Sequence, residues 1–315
     1  MLNLADHWVW DSWYADDGEN FHMFFLRASR ALLDSNRRHF RASIGHAISP
    51  DLKNWKLLPD ALVNSDYPAW DDAATWTGST LLGPDQRWHL FYTGVSQAEK
   101  GLVQRIGHAV SDDLISWIKI GTDPVTVADE KWYEPLNIEQ WPDQAWRDPW
   151  VFADREGDGF HMLVTARSKA GDPLTRGVIG HATSQDLFTW KVGPPLSEAS
   201  DFGHLEVNQV EIVEGKAVLI FCCAPEQISG KRKKTAKFAG TYSAPAASLL
   251  GPFDLKNAEL IDAPNIYAGR IVQDRKGQWN LLGFMSKGEN GHFVGEICDP
   301  IPLALTARGT LQLKN

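Results

Sequence analysis

The chain contains little of what disulfide-rich, membrane-spanning or secreted proteins require. Its three cysteines, Cys222, Cys223 and Cys298, have neither a disulfide framework nor a metal-binding spacing, so we expect buried thiols. No apolar run approaches the roughly 18 residues that a membrane-spanning helix needs. The first eight residues lack both a basic segment and a sustained apolar core. They therefore predict no signal peptide and, by default, a cytoplasmic protein.

Positive charge is also scarce. The formal net charge is −9 and the isoelectric point is near 5.6. A nucleic-acid partner is therefore not expected, because phosphate contacts need a basic surface. One basic run is present, at residues 231–234, and it predicts a solvated loop. The 43% hydrophobic and 23% charged residues are ordinary for a globular protein.

The chain is instead rich in repetition. Five short apolar runs each follow a turn signal, and their starts lie 67, 72, 57 and 62 residues apart. They begin at Phe21, Trp88, Phe160, Ala217 and Trp279. A second strand-like run precedes each turn, so every copy predicts a β-hairpin. Hairpin repeats of this length are typical of propellers. We predict an all-β fold over residues 1–315, a single five-bladed β-propeller with four antiparallel strands per blade.

A second repeat lies between the hairpins, at residues 44–55, 106–117 and 179–190. Each copy reads Ile-Gly-His-Ala, then a Ser-x-Asp-Leu turn, then a Trp that we expect to pack between neighbouring blades. The histidines His46, His108 and His181 recur in register, which favours a structural role over catalysis. The repeat is degenerate in the last two blades, where residues 238–243 and 292–297 take its place.

Channel chemistry in a propeller must come from the first strand of each blade, because that strand lines the central channel. Three predicted first strands carry a carboxylate near their start: Asp11 in blade 1, Asp148 in blade 3 and Glu206 in blade 4. Two convergent carboxyl groups in a tryptophan-rich channel are typical of glycosidases. Glu211 is a rival to Glu206 but should lie deeper, on the opposite face. We therefore predict an active site in the central channel.

Neighbouring residues support this prediction. Pro149 cannot donate to a strand ladder, so the strand is irregular there and can direct Asp148 inward. Arg147 has the fork geometry to hold a carboxylate or sugar hydroxyl. At least one first-strand tryptophan could stack on a sugar, and four are equal candidates to line the pocket: Trp10, Trp13, Trp76 and Trp150. A non-catalytic sugar-binding propeller and a protein scaffold are open alternatives.

Several motifs resemble those of a known clan. Residues 45–62 resemble the first-blade signature of glycoside hydrolase family 32. The segments at 76–79 and 146–152 are similar to the Trp/Phe-Ser-Gly-Ser and Arg-Asp-Pro motifs of families 32 and 68. Residues 9–13 resemble the Val-Trp-Asp-Thr-Trp of levansucrases in family 68. The likeness spans residues 8–285 and implies a five-bladed propeller that hydrolyses or transfers β-fructofuranosyl units with retention.

The resemblance also implies roles for single residues. Asp11 would be the nucleophile, Asp148 would stabilise the transition state, and Glu206 would be the general acid/base. We expect burial and repulsion to raise the pKa of Glu206, so that it is protonated near neutral pH. The substrate-binding residues would be Trp10, Trp76, Ser79, Arg147, Tyr267 and Arg270. We expect no cofactor or metal ion, and a carbohydrate as the binding partner.

The chain departs from the family 32 pattern at both catalytic motifs. Trp-Asp-Ser-Trp stands where Asn-Asp-Pro-Asn-Gly is usual, and Val207 follows Glu206 where Cys-Pro is usual. We expect no C-terminal β-sandwich. An inverting hydrolase similar to family 43, acting on arabinofuranosides or xylosides, is the alternative enzyme.

Overall fold

The structure is a computed structural model that describes residues 1–288 and 291–314. Almost all of its regular structure is β-strand. The strands are β1 (His7–Asp16), β2 (Phe21–Ser29), β3 (Ser43–Ser49), β4 (Lys56–Leu62), β5 (Ala74–Leu82), β6 (Trp88–Val95), β7 (Arg105–Ser111), β8 (Ile118–Lys119), β9 (Thr126–Val127), β10 (Trp146–Ala153), β11 (Phe160–Arg167), β12 (Gly177–Ser184), β13 (Lys191–Gly193), β14 (Glu206–Val213), β15 (Lys216–Cys223), β16 (Gly240–Ala246), β17 (Glu259–Leu260), β18 (Ile266–Gln273), β19 (Trp279–Met285), β20 (Ile301–Leu305) and β21 (Leu311–Leu313).

These strands form five antiparallel sheets, which confirms the predicted five-bladed β-propeller. Blades 1, 3, 4 and 5 are β1–β4, β10–β13, β14–β17 and β18–β21, each paired in chain order. Blade 2 is β5–β8, with the short β9 added against β7. The helices in the described part of the chain are short 3₁₀ turns, and none has the length or hydropathy of a bilayer-spanning segment.

The first strands of neighbouring blades contact one another in a closed ring, in the order β1, β5, β10, β14, β18 and back to β1. The start of the chain completes this ring. Leu2 exchanges two backbone hydrogen bonds of 3.0 Å with Ile297 of blade 5, and the Val9 amide donates to the Gly295 carbonyl. The first and last blades are therefore joined through backbone pairing, and the first strands surround one axis.

Two of the three repeat tryptophans pack neighbouring blades together as predicted, whereas Trp55 meets Tyr14 of its own blade, with ring centroids 6.2 Å apart. Trp117 of blade 2 meets Phe24 of blade 1 edge-on, with ring centroids 5.6 Å apart. Trp190 of blade 3 meets Phe91 of blade 2 in the same way, at 5.4 Å. In the turns, the Asp51 carboxylate accepts hydrogen bonds from two backbone amides, as an Asx turn does.

The degenerate segments of blades 4 and 5 differ from each other. In blade 4 the third strand, β16, covers most of residues 238–243, as predicted. In blade 5 the prediction for residues 292–297 is wrong, because the third strand is β20 at Ile301–Leu305. Ile297 instead bridges Leu2 and Phe284. The segment is used for closing the ring.

Candidate active site

Each of the five first strands contains a β-bulge at the same height. The pairing register shifts directly after Trp10, Trp76, Arg147, Glu206 and Tyr267. Asp11, Asp148, Val207 and Ala268, which follow four of these residues, have positive φ angles of 24°, 57°, 51° and 48°. Such backbone is uncommon outside glycine and is concentrated at functional sites. A bulge changes the direction of the side chains beside it, so the residues at the bulge of each first strand can face the axis.

The five residues before the bulges, and the residues directly after them in blades 1–4, line one cavity of about 710 Å³. Its floor contains Trp10, Asp11, Trp76, Thr77, Arg147, Asp148, Glu206, Val207 and Tyr267. The structure therefore brings together the three predicted carboxylates from blades 1, 3 and 4. Loops form the wall, including Arg38 and His39 from the β2–β3 connection, and Glu226, Lys237 and Phe238 from the β15–β16 connection.

Asp11 lies against blade 2. The Thr77 hydroxyl donates a 2.6 Å hydrogen bond to Oδ2 of Asp11. Burial, and then the neighbouring negative charge of Asp148, raise the pKa of Asp11 to about 7, although the Thr77 bond opposes the shift. Near neutral pH the carboxyl is therefore divided between its protonated and ionised forms.

Asp148 is held by blades 3 and 4. Its Oδ2 accepts a 2.8 Å hydrogen bond from the Thr165 hydroxyl and a 3.2 Å bond from the Val207 amide. Its own amide donates to Oγ1 of Thr93. Burial raises the pKa of Asp148, while the Arg147 charge opposes that rise. The carboxylate is thus fixed in direction by bonds from two neighbouring blades.

Arg147 joins two of the acids. Its Nη2 donates a 2.6 Å bond to Oε1 of Glu206, and its Nε lies 3.5 Å from Oδ2 of Asp148. On the other side, Nη1 donates a 3.0 Å bond to Oε1 of Gln104. The Tyr267 hydroxyl donates a 2.5 Å bond to Oε2 of Glu206. Both oxygens of Glu206 are therefore hydrogen-bonded.

The expected protonation of Glu206 is reversed in the structure. Burial raises the pKa of this carboxyl, but the charge of Arg147 and the hydrogen bond from Tyr267 hold it well below its ordinary value. The expectation of a raised pKa was wrong because it counted burial and repulsion and omitted the Arg147 ion pair. With one proton in the site, that proton favours Asp11 over Glu206.

Ser79 and Arg270 do not line the cavity. They belong to a layer one step deeper, formed by the residues three positions after each pre-bulge residue: Trp13, Ser79, Trp150, Gln209 and Arg270. Ser79 accepts a 3.1 Å bond from the Val151 amide of blade 3. Arg270 donates a 2.6 Å hydrogen bond to the Asn208 carbonyl of blade 4. This layer ties neighbouring blades together under the site.

Sequence reasoning did not name several residues of the site. Thr77 stands between Trp76 and Ser79 in a motif that was singled out, but only the bulge decides that Thr77 faces Asp11. Gln104 and His204 both accept hydrogen bonds from Arg147, and they come from segments without a motif. In-register comparison of the five first strands would have identified Thr77. Gln104 and His204 carried no such signal.

Glu211 lies apart from this site. It lines a separate cavity of about 200 Å³ with Tyr14, Trp150 and Arg270, among others. Burial raises the pKa of Glu211 to about 7. Over the described ranges, no group of three or more His, Cys, Asp or Glu side chains is arranged to hold a metal ion.

Comparison with solved structures shows the fold. The inulosucrase from Halalkalicoccus jeotgali bound to kestose superposes with a TM-score of 0.76 at 21% identity, covering 98% of this chain and 89% of that one. A Bacillus subtilis levansucrase superposes with a TM-score of 0.73 at 18% identity, over 99% and 87%. The Bombyx mori family 32 β-fructofuranosidase superposes with a TM-score of 0.74 at 19% identity, covering 99% of this chain and 64% of that one.

Sequence comparison shows the family. A β-fructofuranosidase (insoluble isoenzyme) of Arabidopsis thaliana is 31% identical to this chain, in a match that covers 51% of this chain and 28% of the relative. A β-fructofuranosidase of Zea mays is 32% identical in a match that covers 38% of this chain and 19% of the relative. The matched segments thus span less than a third of these relatives' own length. The model of the glycosyl hydrolases family 32 N-terminal domain matches residues 13–295. That match includes Asp148 and Glu206, and Asp11 lies two residues before its start. Because the match covers most of the sequence, the chain belongs to glycosyl hydrolase family 32.

Proposed function

We propose that this protein cleaves β-fructofuranosides, such as sucrose, fructo-oligosaccharides or fructans, with retention at the anomeric carbon. The observation that carries the proposal is the meeting of Asp11, Asp148 and Glu206 in one cavity of about 710 Å³ in a family 32 chain. The relatives named above as β-fructofuranosidases support the same substrate class. The family match favours this reading over the arabinofuranosidase-like alternative.

In the proposed reaction a carboxylate oxygen of Asp11 attacks the anomeric carbon. The bond from that carbon to the leaving oxygen breaks as Glu206 transfers its proton to the oxygen. Water then attacks the fructosyl ester, Glu206 takes a proton from the water, and Asp11 is released as a carboxylate. Asp148 accepts hydrogen bonds from sugar hydroxyls, and Trp10 and Trp76 provide apolar faces for the ring.

The protonation states limit this reaction. It requires an ionised Asp11 and a protonated Glu206, whereas the pKa shifts place the single proton mainly on Asp11. The productive form is then the minor arrangement of the one-proton state. We therefore propose that kcat/KM decreases above about pH 7, as the site loses this last proton.

The fructosyl ester on Asp11 can also lead to fructosyl transfer. If a sugar hydroxyl replaces water in the second step, the product is a longer fructoside. Two of the solved structures that share the fold are described as an inulosucrase and a levansucrase. We propose hydrolysis as the main reaction, with transfer increasing at high substrate concentration. A cytoplasmic location stays a prediction from the sequence, tested by cell fractionation.

One experiment tests the reaction and its stereochemistry. The purified protein is incubated with sucrose, inulin, levan and an arabinofuranoside, and NMR follows the anomer that forms first. We expect free fructose to appear initially as the β-anomer from a fructoside. Initial formation of the α-anomer would overturn retention, and turnover of the arabinofuranoside alone would overturn the substrate class. Binding of sucrose without turnover would favour a non-catalytic propeller.

A further inference from the structure

His204 is a fully buried side chain that the proposed reaction does not use. It lies two residues before Glu206, at the entry to β14, and is 2% exposed. Its Nδ1 lies 3.1 Å from Nη2 of Arg147 and 3.5 Å from Oε1 of Glu206. The edge of its ring packs against Trp141, with centroids 4.7 Å apart.

The chemistry of arginine defines the direction of the hydrogen bond between Arg147 and His204. A guanidinium only donates, so at 3.1 Å Nδ1 of His204 is the acceptor for Arg147. Burial, and then the charge of Arg147, lower the pKa of His204, so its ring is neutral. The ring proton is therefore on Nε2, which has no hydrogen-bond partner among the described residues. The charged groups facing the ring are Arg147, Glu206 and Asp143.

His204 shares one nitrogen of Arg147 with the proposed general acid. Nη2 carries two hydrogens, and Glu206 and His204 lie within hydrogen-bond distance of that one nitrogen. Gln104 fixes Nη1 in the same way. His204 and Gln104 thus hold the two terminal nitrogens of the guanidinium, which also face Glu206 and Asp143. Without the acceptor at His204, the second hydrogen of Nη2 is left buried without a partner, and the whole guanidinium is free to shift toward Glu206.

We infer that His204 is a positioning residue: by holding Arg147 it limits the Arg147–Glu206 ion pair and keeps Glu206 able to take up and deliver a proton. The inference rests on the proposed function, because it concerns the acid step of that reaction. Loss of the acceptor strengthens the ion pair, so Glu206 carries the proton in a smaller fraction of molecules. Departure of an alcohol needs that proton, whereas departure of a nitrophenolate does not.

The test compares two nearly isosteric variants on two substrates. The Oδ1 atom of His204→Asn replaces Nδ1 as an acceptor, and His204→Leu has the same shape without an acceptor. We expect His204→Leu to lose roughly 10- to 100-fold in kcat/KM on sucrose and less than about threefold on p-nitrophenyl β-fructofuranoside. His204→Asn should stay within about threefold of the wild type on both substrates. In His204→Leu the alkaline limb on sucrose should stay in place, because the last proton lies mainly on Asp11, while the activity below that limb decreases.

Controls separate this role from simple packing. His161→Leu removes another buried histidine, one bonded to His181 and remote from the cavity, and should lower Tm without discriminating between substrates. Should His204→Leu not fold, His204→Gln replaces it, because its amide reaches the Nε2 position and misses Arg147. Equal losses on both substrates, or no recovery in His204→Asn, would overturn the inference. A wild type inactive on both substrates would defeat the proposed function instead.

Discussion

Blades 1–3 and blades 4–5 reach the same architecture by different side chains. In each of the first three blades, a histidine of the second strand bonds a histidine of the third strand at 2.9 Å. The pairs are His22 with His46, His89 with His108, and His161 with His181. In blade 4 the corresponding positions hold Val218 and Ser243. The paired histidines are therefore one way to fill a blade, and the fold does not require them.

The residues of the candidate active site come from both groups of blades. Asp11 and Asp148 come from blades with histidine pairs, whereas Glu206 and Tyr267 come from blades 4 and 5. What all five blades share is the bulge in the first strand. The repeat that is easiest to see in the sequence therefore builds the packing between strands. The site depends on a backbone irregularity at equivalent height in every blade.

The largest expected effect is on activity and should be the same in both groups of blades. Asp11→Asn in blade 1 and Glu206→Gln in blade 4 should each lower kcat on sucrose by at least about 10³-fold. Each variant keeps the shape of its side chain. Tm should not fall in Asp11→Asn, because burial disfavours the charge that is removed. Tm should fall in Glu206→Gln, because Arg147 loses its ion pair. Sucrose turnover and calorimetry measure the two effects. Substantial activity in Glu206→Gln would show that blade 4 contributes only structure.

The second effect, on the pH dependence of stability, concerns the histidine pairs of blades 1–3. Burial, then the partner histidine, lower the pKa of His46 and His108 to about 3 and that of His181 to about 4. These pKa values lie below the unfolded value of about 6.5, so the stabilisation is complete above pH 6.5 and is lost as pH falls toward 4. Each histidine contributes a slope of about 1.4 kcal/mol per pH unit.

Urea unfolding between pH 7 and pH 4.5 measures that slope. In His46→Gln the amide nitrogen still donates to His22 and does not titrate, so the slope should decrease by about one proton. Ser243→Ala in blade 4 is the matched control and should leave the slope unchanged. An unchanged slope in His46→Gln would show that the histidine pairs do not cause the acid sensitivity.

The smallest effect separates Thr77 from the packing residues of its own blade. Thr77→Val removes the hydrogen bond that opposes the raised pKa of Asp11. The alkaline limb of kcat/KM should therefore move to higher pH by up to about one unit. Ser79→Ala is the control, because Ser79 bonds the Val151 amide outside the cavity. A shift in Ser79→Ala and none in Thr77→Val would reverse the two assignments.

Sequence reasoning recovered the framework of the site but not its details. The five hairpins, the first strands and the three carboxylates could be predicted, because the repeat puts them in register. Thr77, Ser79 and Arg270 could not be assigned, because a bulge changes which side chains face the axis. The pKa of Glu206 was predicted in the wrong direction, since Arg147 and Tyr267 meet it from other blades.

The sequence by itself determined the number of blades, the strand that faces the axis and the identity of the acids. These follow from short-range patterns: alternation, turn residues and the spacing of repeats. Only the tertiary structure decided which acid holds the proton and which side chains reach the cavity. Those properties depend on charges and hydrogen bonds between strands that are 50 or more residues apart, as in the 59-residue separation of Arg147 and Glu206.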